Sequence, residues 1–139
     1  MRIADDTKLR ELLRATKTIA VVGISDKPYR DSHHVAEYLI EAGYRVFPVN
    51  PNLQSVLGLR CYPDLASIPE AIDLVDVFRR PEEVGPVVDA AVAIKAKALW
   101  LQLGVINEAE AERASEAGLT VIMDRCSKIE HARLIGFQG

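Results

Sequence analysis

The sequence holds only two cysteines, Cys61 and Cys126, in 139 residues. That is far short of a disulfide framework or a four-cysteine zinc site. Long hydrophobic runs are missing too, and no apolar stretch approaches the ~20 residues that cross a bilayer as a helix. The first residues, Met1-Arg2-Ile3-Ala4-Asp5-Asp6, carry two early acids and no apolar stretch, which is not the pattern of a secretory signal. Positive charge is not in excess: the formal net charge is -3, which argues against a general nucleic-acid binder or a polybasic membrane patch. Repeats, linker-like segments and low-complexity tracts are absent as well. What remains is the expectation of a reduced, soluble, cytoplasmic protein forming one domain over residues 1–139, with no nucleic-acid or membrane partner.

Two nucleotide motifs are also lacking. No G-K-[ST] occurs, so phosphoryl transfer through a Walker A loop is set aside. The dinucleotide fingerprint G-x-G-x-x-G is incomplete, because Gly23 is followed by Ile24-Ser25-Asp26-Lys27-Pro28 and the next glycine is Gly43. Where an acid usually holds the adenosine ribose of NAD, the chain reads Val49-Asn50-Pro51.

The chain does contain an alternation of short apolar runs with longer helical patterns, which predicts an α/β fold with a parallel sheet covered on both faces. Leu9, Leu12 and Leu13 give an opening helix over Thr7 to Ala15. Five strands are predicted: Thr18 to Val22, Tyr44 to Val49, Leu74 to Phe78, Ala98 to Leu103 and Thr120 to Met123. Pro48 belongs near the end of its strand, since it cannot donate to a ladder. Ser32 is a suitable N-cap for a helix carrying Val35, Ala36, Leu39 and Ile40 and stopping at Gly43. Pro81 opens a third main helix, Asn107 caps a fourth that ends at Gly118, and a short tail helix follows Cys126. Between Asn50 and Pro69 the patterning is weak, with room for a short helix around Leu65.

Open α/β sheets bind ligands outside the carboxyl ends of their strands. Six basic residues fall just after predicted strands: Lys27, Arg30, Arg79, Arg80, Arg125 and Lys128. Asp26, Asp31 and Asp124 dilute them, so the field is positive only in places. Helix N-termini on the same edge add inward N–H groups that suit a phosphate. An anionic, phosphate-bearing small molecule is the ligand class this pattern predicts, although any one of these cations taken alone reads as a solvated loop charge.

Candidates for covalent or metal chemistry are weaker. Cys126, Glu130 and His131 lie within six residues, and a thiol beside an imidazole can be a nucleophile. The plainer reading is preferred, a small residue packed after a strand with His131 on a surface turn. His33 and His34 point about 100° apart on a helix, so they cannot share one metal or ligand. Trp100 in a buried strand reads as core. The carboxylates give no acid/base pair, and nothing supports a metal site.

Several of these segments resemble a known family. Val21-Val22-Gly23-Ile24-Ser25, Tyr44-Arg45-Val46-Phe47-Pro48-Val49-Asn50-Pro51 and Val77-Phe78-Arg79-Arg80-Pro81 resemble the small stand-alone CoA-binding proteins. Trp100-Leu101-Gln102-Leu103-Gly104 and Asp124-Arg125-Cys126 continue the match in the same order. These proteins are in turn similar to the N-terminal CoA-binding domain of the succinyl-CoA synthetase α-subunit. The resemblance implies a three-layer Rossmann-like domain with a five-stranded parallel sheet, and coenzyme A as the cofactor. It implies that Gly23, Ser25, Arg30, Ser32, Asn50 and Pro51 hold the nucleotide and phosphate end. Arg79, Arg80, Gln102 and Gly104 would lie along the rest of the molecule. The first strand–helix turn departs from the synthetase pattern, which is shorter and richer in glycine.

The function so implied is binding of CoA or an acyl-CoA by a non-catalytic carrier or sensor. Three alternatives stay open at this level: a redox sensor that binds NAD or another adenine nucleotide, a small enzyme acting on CoA thioesters through Cys126, and an interaction subunit that has lost its ligand. An apolar helix face leaves room for a homodimer or another protein partner.

Overall fold

The structure is a computed structural model that describes residues 1–137. In chain order its elements are α1 (Asp6–Ala15), β1 (Thr18–Val22), α2 (Asp31–Glu41), β2 (Arg45–Val49), β3 (Ser55–Val56), β4 (Leu59–Arg60), β5 (Leu74–Val77), α3 (Val84–Ala93), β6 (Ala98–Leu101), α4 (Glu108–Glu116), β7 (Thr120–Ile122) and α5 (Ser127–Leu134). Single 3₁₀ turns occupy Leu65–Ser67 and Pro81–Glu83. The second of these places Pro81 at the first position, where its missing N–H has no partner to lose.

Five of the strands form one parallel sheet in the order β2-β1-β5-β6-β7. Their apolar runs are continuous because both faces are covered. On one face Ile19, Val21, Leu74 and Trp100 meet Leu9 and Leu13 of α1, Val35 and Leu39 of α2, and Leu134 of α5. On the other, Ala20, Val22, Val75, Val77, Leu99 and Leu101 meet Val84 and Val88 of α3 and Ala111 and Ala114 of α4. This is the three-layer, Rossmann-like arrangement. Trp100 is fully buried, and its Nε1–H donates to the carbonyl of Arg125 at 2.8 Å. That bond satisfies the one polar atom of the ring in the core.

The chain leaves β1 toward β2 on one side and returns to β5 on the other. The direction of winding therefore reverses between β1 and β5, and the crevice outside their carboxyl ends is where such sheets take ligands.

Several expectations are corrected. Ser32 is not the N-cap of α2: the helix starts at Asp31, Arg30 holds the cap position without a side-chain bond, and Ser32 is buried inside the first turn. The weakly patterned stretch contains the hairpin β3–β4, paired antiparallel next to β2. Its turn residues Leu57 and Gly58 both have positive φ, at 54° and 72°. His131 is not on a surface turn; it is buried on α5, with Nδ1 2.9 Å from the hydroxyl of Tyr38. Pro48 sits one residue from the end of edge strand β2, and its carbonyl accepts from the N–H of Tyr62 at 2.9 Å. No helix among the described residues is long and apolar enough to cross a membrane.

Candidate functional site

At the end of β1 the chain turns tightly at Gly23, whose φ is +85°. A Cβ built there would lie 2.1 Å from the carbonyl oxygen of Phe78, the residue just past β5. Only glycine allows this approach, and it presses the β1–α2 loop against the switch point of the sheet. The loop is then fixed by its own polar side chains. Ser32 Oγ accepts from the N–H of Ser25 at 2.9 Å, and Ser25 Oγ accepts from the N–H of Lys27 at 3.1 Å. Asn50 Nδ2 donates to the carbonyl of Ile24 at 2.8 Å, while its Oδ1 accepts from the N–H of Asn52 at 2.8 Å.

These bonds frame a cavity of about 530 Å³ whose lining includes Gly23, Ser25, Lys27, Arg30, Ser32 and Asn50. The first turn of α2 opens onto it, so backbone N–H groups and the positive end of the helix dipole face the space. Lys27 and Arg30 add charge, offset by Asp26 and Asp31 on the same wall. The net effect suits an anion that can choose its position, such as a phosphate or diphosphate.

A second cavity, of about 780 Å³, continues along the carboxyl edge. Asp31 and Phe78 line both cavities, which makes them one trough. Its walls include the apolar Val35, Leu103, Val105 and Ile129, with Arg79, Arg80 and Lys128 around them. Arg79 and Arg80 reach Glu83 only at 3.9 and 3.8 Å. Loose, exposed pairs of this kind contribute little, so either guanidinium can turn to a bound anion.

The expected site residues thus fall into two groups. Gly23, Ser25, Arg30, Ser32 and Asn50 line the first cavity, and Arg79, Arg80, Gln102 and Gly104 line the second. Pro51 is exposed and lines neither. Ser32 and Asn50 spend their side chains on shaping the loop, and Gln102 spends its amide hydrogens on the interior. Arg125 leaves the group of strand-end cations: it donates to Glu130 Oε1 at 3.1 Å and to the carbonyl of Ala4 at 3.2 Å. It lines a pocket of about 610 Å³ beside Arg2 and Ile3, which shares Leu103, Cys126 and Ile129 with the second cavity.

Sequence reasoning missed Asp76, which is fully buried in the middle of β5. Burial pushes its carboxyl up to about 7, against the pull of hydrogen bonds from Gln102 and Ser127. An acid inside the apolar run Leu74 to Phe78 was the available signal. Cys126 lines the second cavity as the residue before α5. Among the described residues it has no hydrogen bond to His131, whose ring is turned to Tyr38 and whose pKa is lowered by burial.

Comparison with known proteins gives concordant findings. A family model described as a CoA binding domain matches residues 17–132. The chain is 40% identical over 132 residues to the uncharacterized protein YneT of Bacillus subtilis (strain 168), covering 95% of this chain and 98% of that one. A solved structure of a hypothetical protein from Pyrococcus horikoshii OT3 superposes with a TM-score of 0.93 at 43% identity, covering 96% of this chain and 94% of that one. Over 81 residues the chain is also 32% identical to the ADP-forming acetate–CoA ligase II of Archaeoglobus fulgidus, a match spanning 57% of this chain but 12% of the ligase.

Proposed function

The chain belongs to the CoA-binding domain family, and from that premise we propose that its carboxyl-edge trough holds coenzyme A or an acyl-CoA. The observation that carries this reading is the continuity of two unlike cavities across Phe78 and Asp31. Coenzyme A is itself a molecule of two unlike halves. Its phosphorylated nucleotide matches the helix N-terminus with Lys27 and Arg30, and its long, mostly apolar pantetheine arm matches the second cavity. Arg79, Arg80 and Lys128 stand where the arm or a phosphate passes between them. The thiol end, or the acyl group it carries, comes to rest toward Cys126 and Ile129.

The protein acts as a carrier or sensor of CoA rather than as a catalyst. What supports this is the setting of Cys126 on the trough: among the described residues it has no hydrogen-bonded base, and the nearby imidazole is engaged with Tyr38. A cysteine nucleophile is commonly activated by such an adjacent base.

Amide chemical-shift mapping with CoA tests the reading. Perturbations are expected over Gly23 to Ser32 and again over Gln102 to Val105. Perturbations confined to the opposite edge of the sheet, around Lys17 and Lys97, contradict it.

A further inference from the structure

Beneath the second cavity lies a closed ring of side chains. Gln102 Nε2 donates one hydrogen to Asp76 Oδ1 and the other to Ser127 Oγ at 2.7 Å. The Ser127 hydroxyl donates in turn to Asp76 Oδ2 at 2.8 Å. All three residues are buried, Gln102 to 4% exposure, and they come from β5, the position just after β6 and the first turn of α5. The ring consumes both amide hydrogens of Gln102 and the hydroxyl hydrogen of Ser127.

The carbonyl oxygen of Gln102 is left over. Among the described residues Oε1 accepts no hydrogen bond, yet no fully buried side-chain polar atom is without a partner. Oε1 therefore reaches open space, and the space Gln102 borders is the 780 Å³ cavity. The opposite orientation of the amide would set Oε1 against oxygens of both Asp76 and Ser127, leaving three oxygen–oxygen contacts with too few hydrogens to fill them in either protonation state of Asp76.

We propose that Asp76 and Ser127 are positioning residues that lock Gln102 with its carbonyl oxygen toward the cavity, as a directional acceptor for an amide N–H of the pantetheine arm. This rests on the reading that the trough holds CoA, and it adds the polarity of the contact and the residues that set it. An amide leaving water for an apolar-walled cavity needs a partner for its N–H, and an acceptor already fixed in place loses no rotamer freedom on binding. It also favours an amide-bearing arm over a plain alkyl or polyol chain. Asp76 is kept for this task at a cost, since a buried carboxylate without a cation is unfavourable. Its register neighbours are Val21 on β1 and Trp100 on β6; of the charged groups of α5, Glu130 is engaged with Arg125 and Arg133, while Lys128 lines the cavity and makes no ion pair with Asp76. Protonation of Asp76 leaves this orientation in place, since Nε2 still donates to both neighbours and the third contact, between Asp76 and Ser127, keeps a hydrogen.

The test compares affinities for CoA and for 3′-phosphoadenosine 5′-diphosphate, which lacks the arm. In Gln102→Met the affinity for CoA should fall about fivefold, the worth of one neutral hydrogen bond, with the armless nucleotide unchanged. Independently of any substitution, the wild-type protein should bind a CoA analogue in which an arm amide N–H is replaced by an ester oxygen about fivefold more weakly than CoA, for at least one of the two amide positions. Equal losses for both ligands, no loss for either, or full-strength binding of both ester analogues overturns the proposal. A wild-type protein that binds CoA no better than the armless nucleotide overturns the reading of the trough instead.

Discussion

Gly23 and Phe78 meet backbone to backbone at the switch point of the sheet, so closely that a methyl group on Gly23 would lie 2.1 Å from the Phe78 carbonyl oxygen. Both residues line the first cavity, and Phe78 also lines the second. One contact therefore sets both the β1–α2 turn and the junction of the trough.

Gly23→Ala meets two penalties, a φ of +85° and an immovable backbone oxygen. Together they should cost about 3 kcal/mol, read as a midpoint lowered by roughly 10 °C in thermal unfolding. A midpoint within a degree or two of wild type would show that the turn can shift freely. Gly104, with positive φ but nothing within 4 Å of a built Cβ, should suffer only the strain of its backbone when replaced by alanine.

Arg30 and Lys27 are exposed and make no ion pair among the described residues. Replacing either by alanine should leave the unliganded midpoint within about 0.5 kcal/mol of wild type. CoA affinity should nevertheless fall several-fold to tenfold, and should weaken as salt is raised. Calorimetric titration at two ionic strengths measures both effects.

Asp76 carries a pH signature. Its folded-state pKa is raised to about 7 by burial, above the ordinary carboxylate value, so the folded state keeps a proton that the unfolded chain gives up. Stability from this group is full below pH ~4, is lost as pH rises toward 7, and changes no further above it. His131 works in the other direction: its pKa is lowered by burial, so its contribution is present above pH ~6.5 and lost as pH falls through the lowered value. Asp76→Asn removes only the first slope. The stability of the variant relative to wild type should therefore rise between pH 5 and 7 and then level off, as urea unfolding at several pH values will measure.

The two thiols should differ in reactivity. Cys61 is buried, and burial pushes its pKa up, whereas Cys126 is half-buried on the wall of the second cavity. Iodoacetamide should modify Cys126 first. CoA should slow that reaction, and 3′-phosphoadenosine 5′-diphosphate should not. Mass spectrometry of the alkylated peptides reads the outcome.

Much of this architecture was legible in the sequence for a simple reason. A strand buried on both faces is apolar along most of its length, so the runs at Thr18 to Val22 and, Asp76 aside, Leu74 to Phe78 announced themselves, and their order of alternation dictated a parallel sheet. The ten residues that the family resemblance implied stand at strand ends, and nine of them, all but Pro51, line the two cavities. What escaped depended on contacts across the chain. Ser32 has the chemistry of a cap, but its hydroxyl is taken by Ser25 seven residues earlier. The β3–β4 hairpin has two residues in each strand, too few for any periodicity, although Gly58 in its turn was a visible signal. Asp76 could not be paired with Gln102 and Ser127, 26 and 51 residues away, before the sheet brought them together. Arg125 was assigned to the edge by its position alone, with Glu130 five residues on already waiting for it.

Thermal unfolding with and without CoA, with dephospho-CoA, NAD and ATP in parallel, tests the central claim most directly. At a hundredfold excess over its Kd, a ligand that binds only the folded state adds about 2.7 kcal/mol. The midpoint should rise clearly with CoA, less with dephospho-CoA, and little with NAD or ATP. A rise with NAD or ATP alone, or no rise with CoA at any concentration, would contradict the assignment of the trough to coenzyme A.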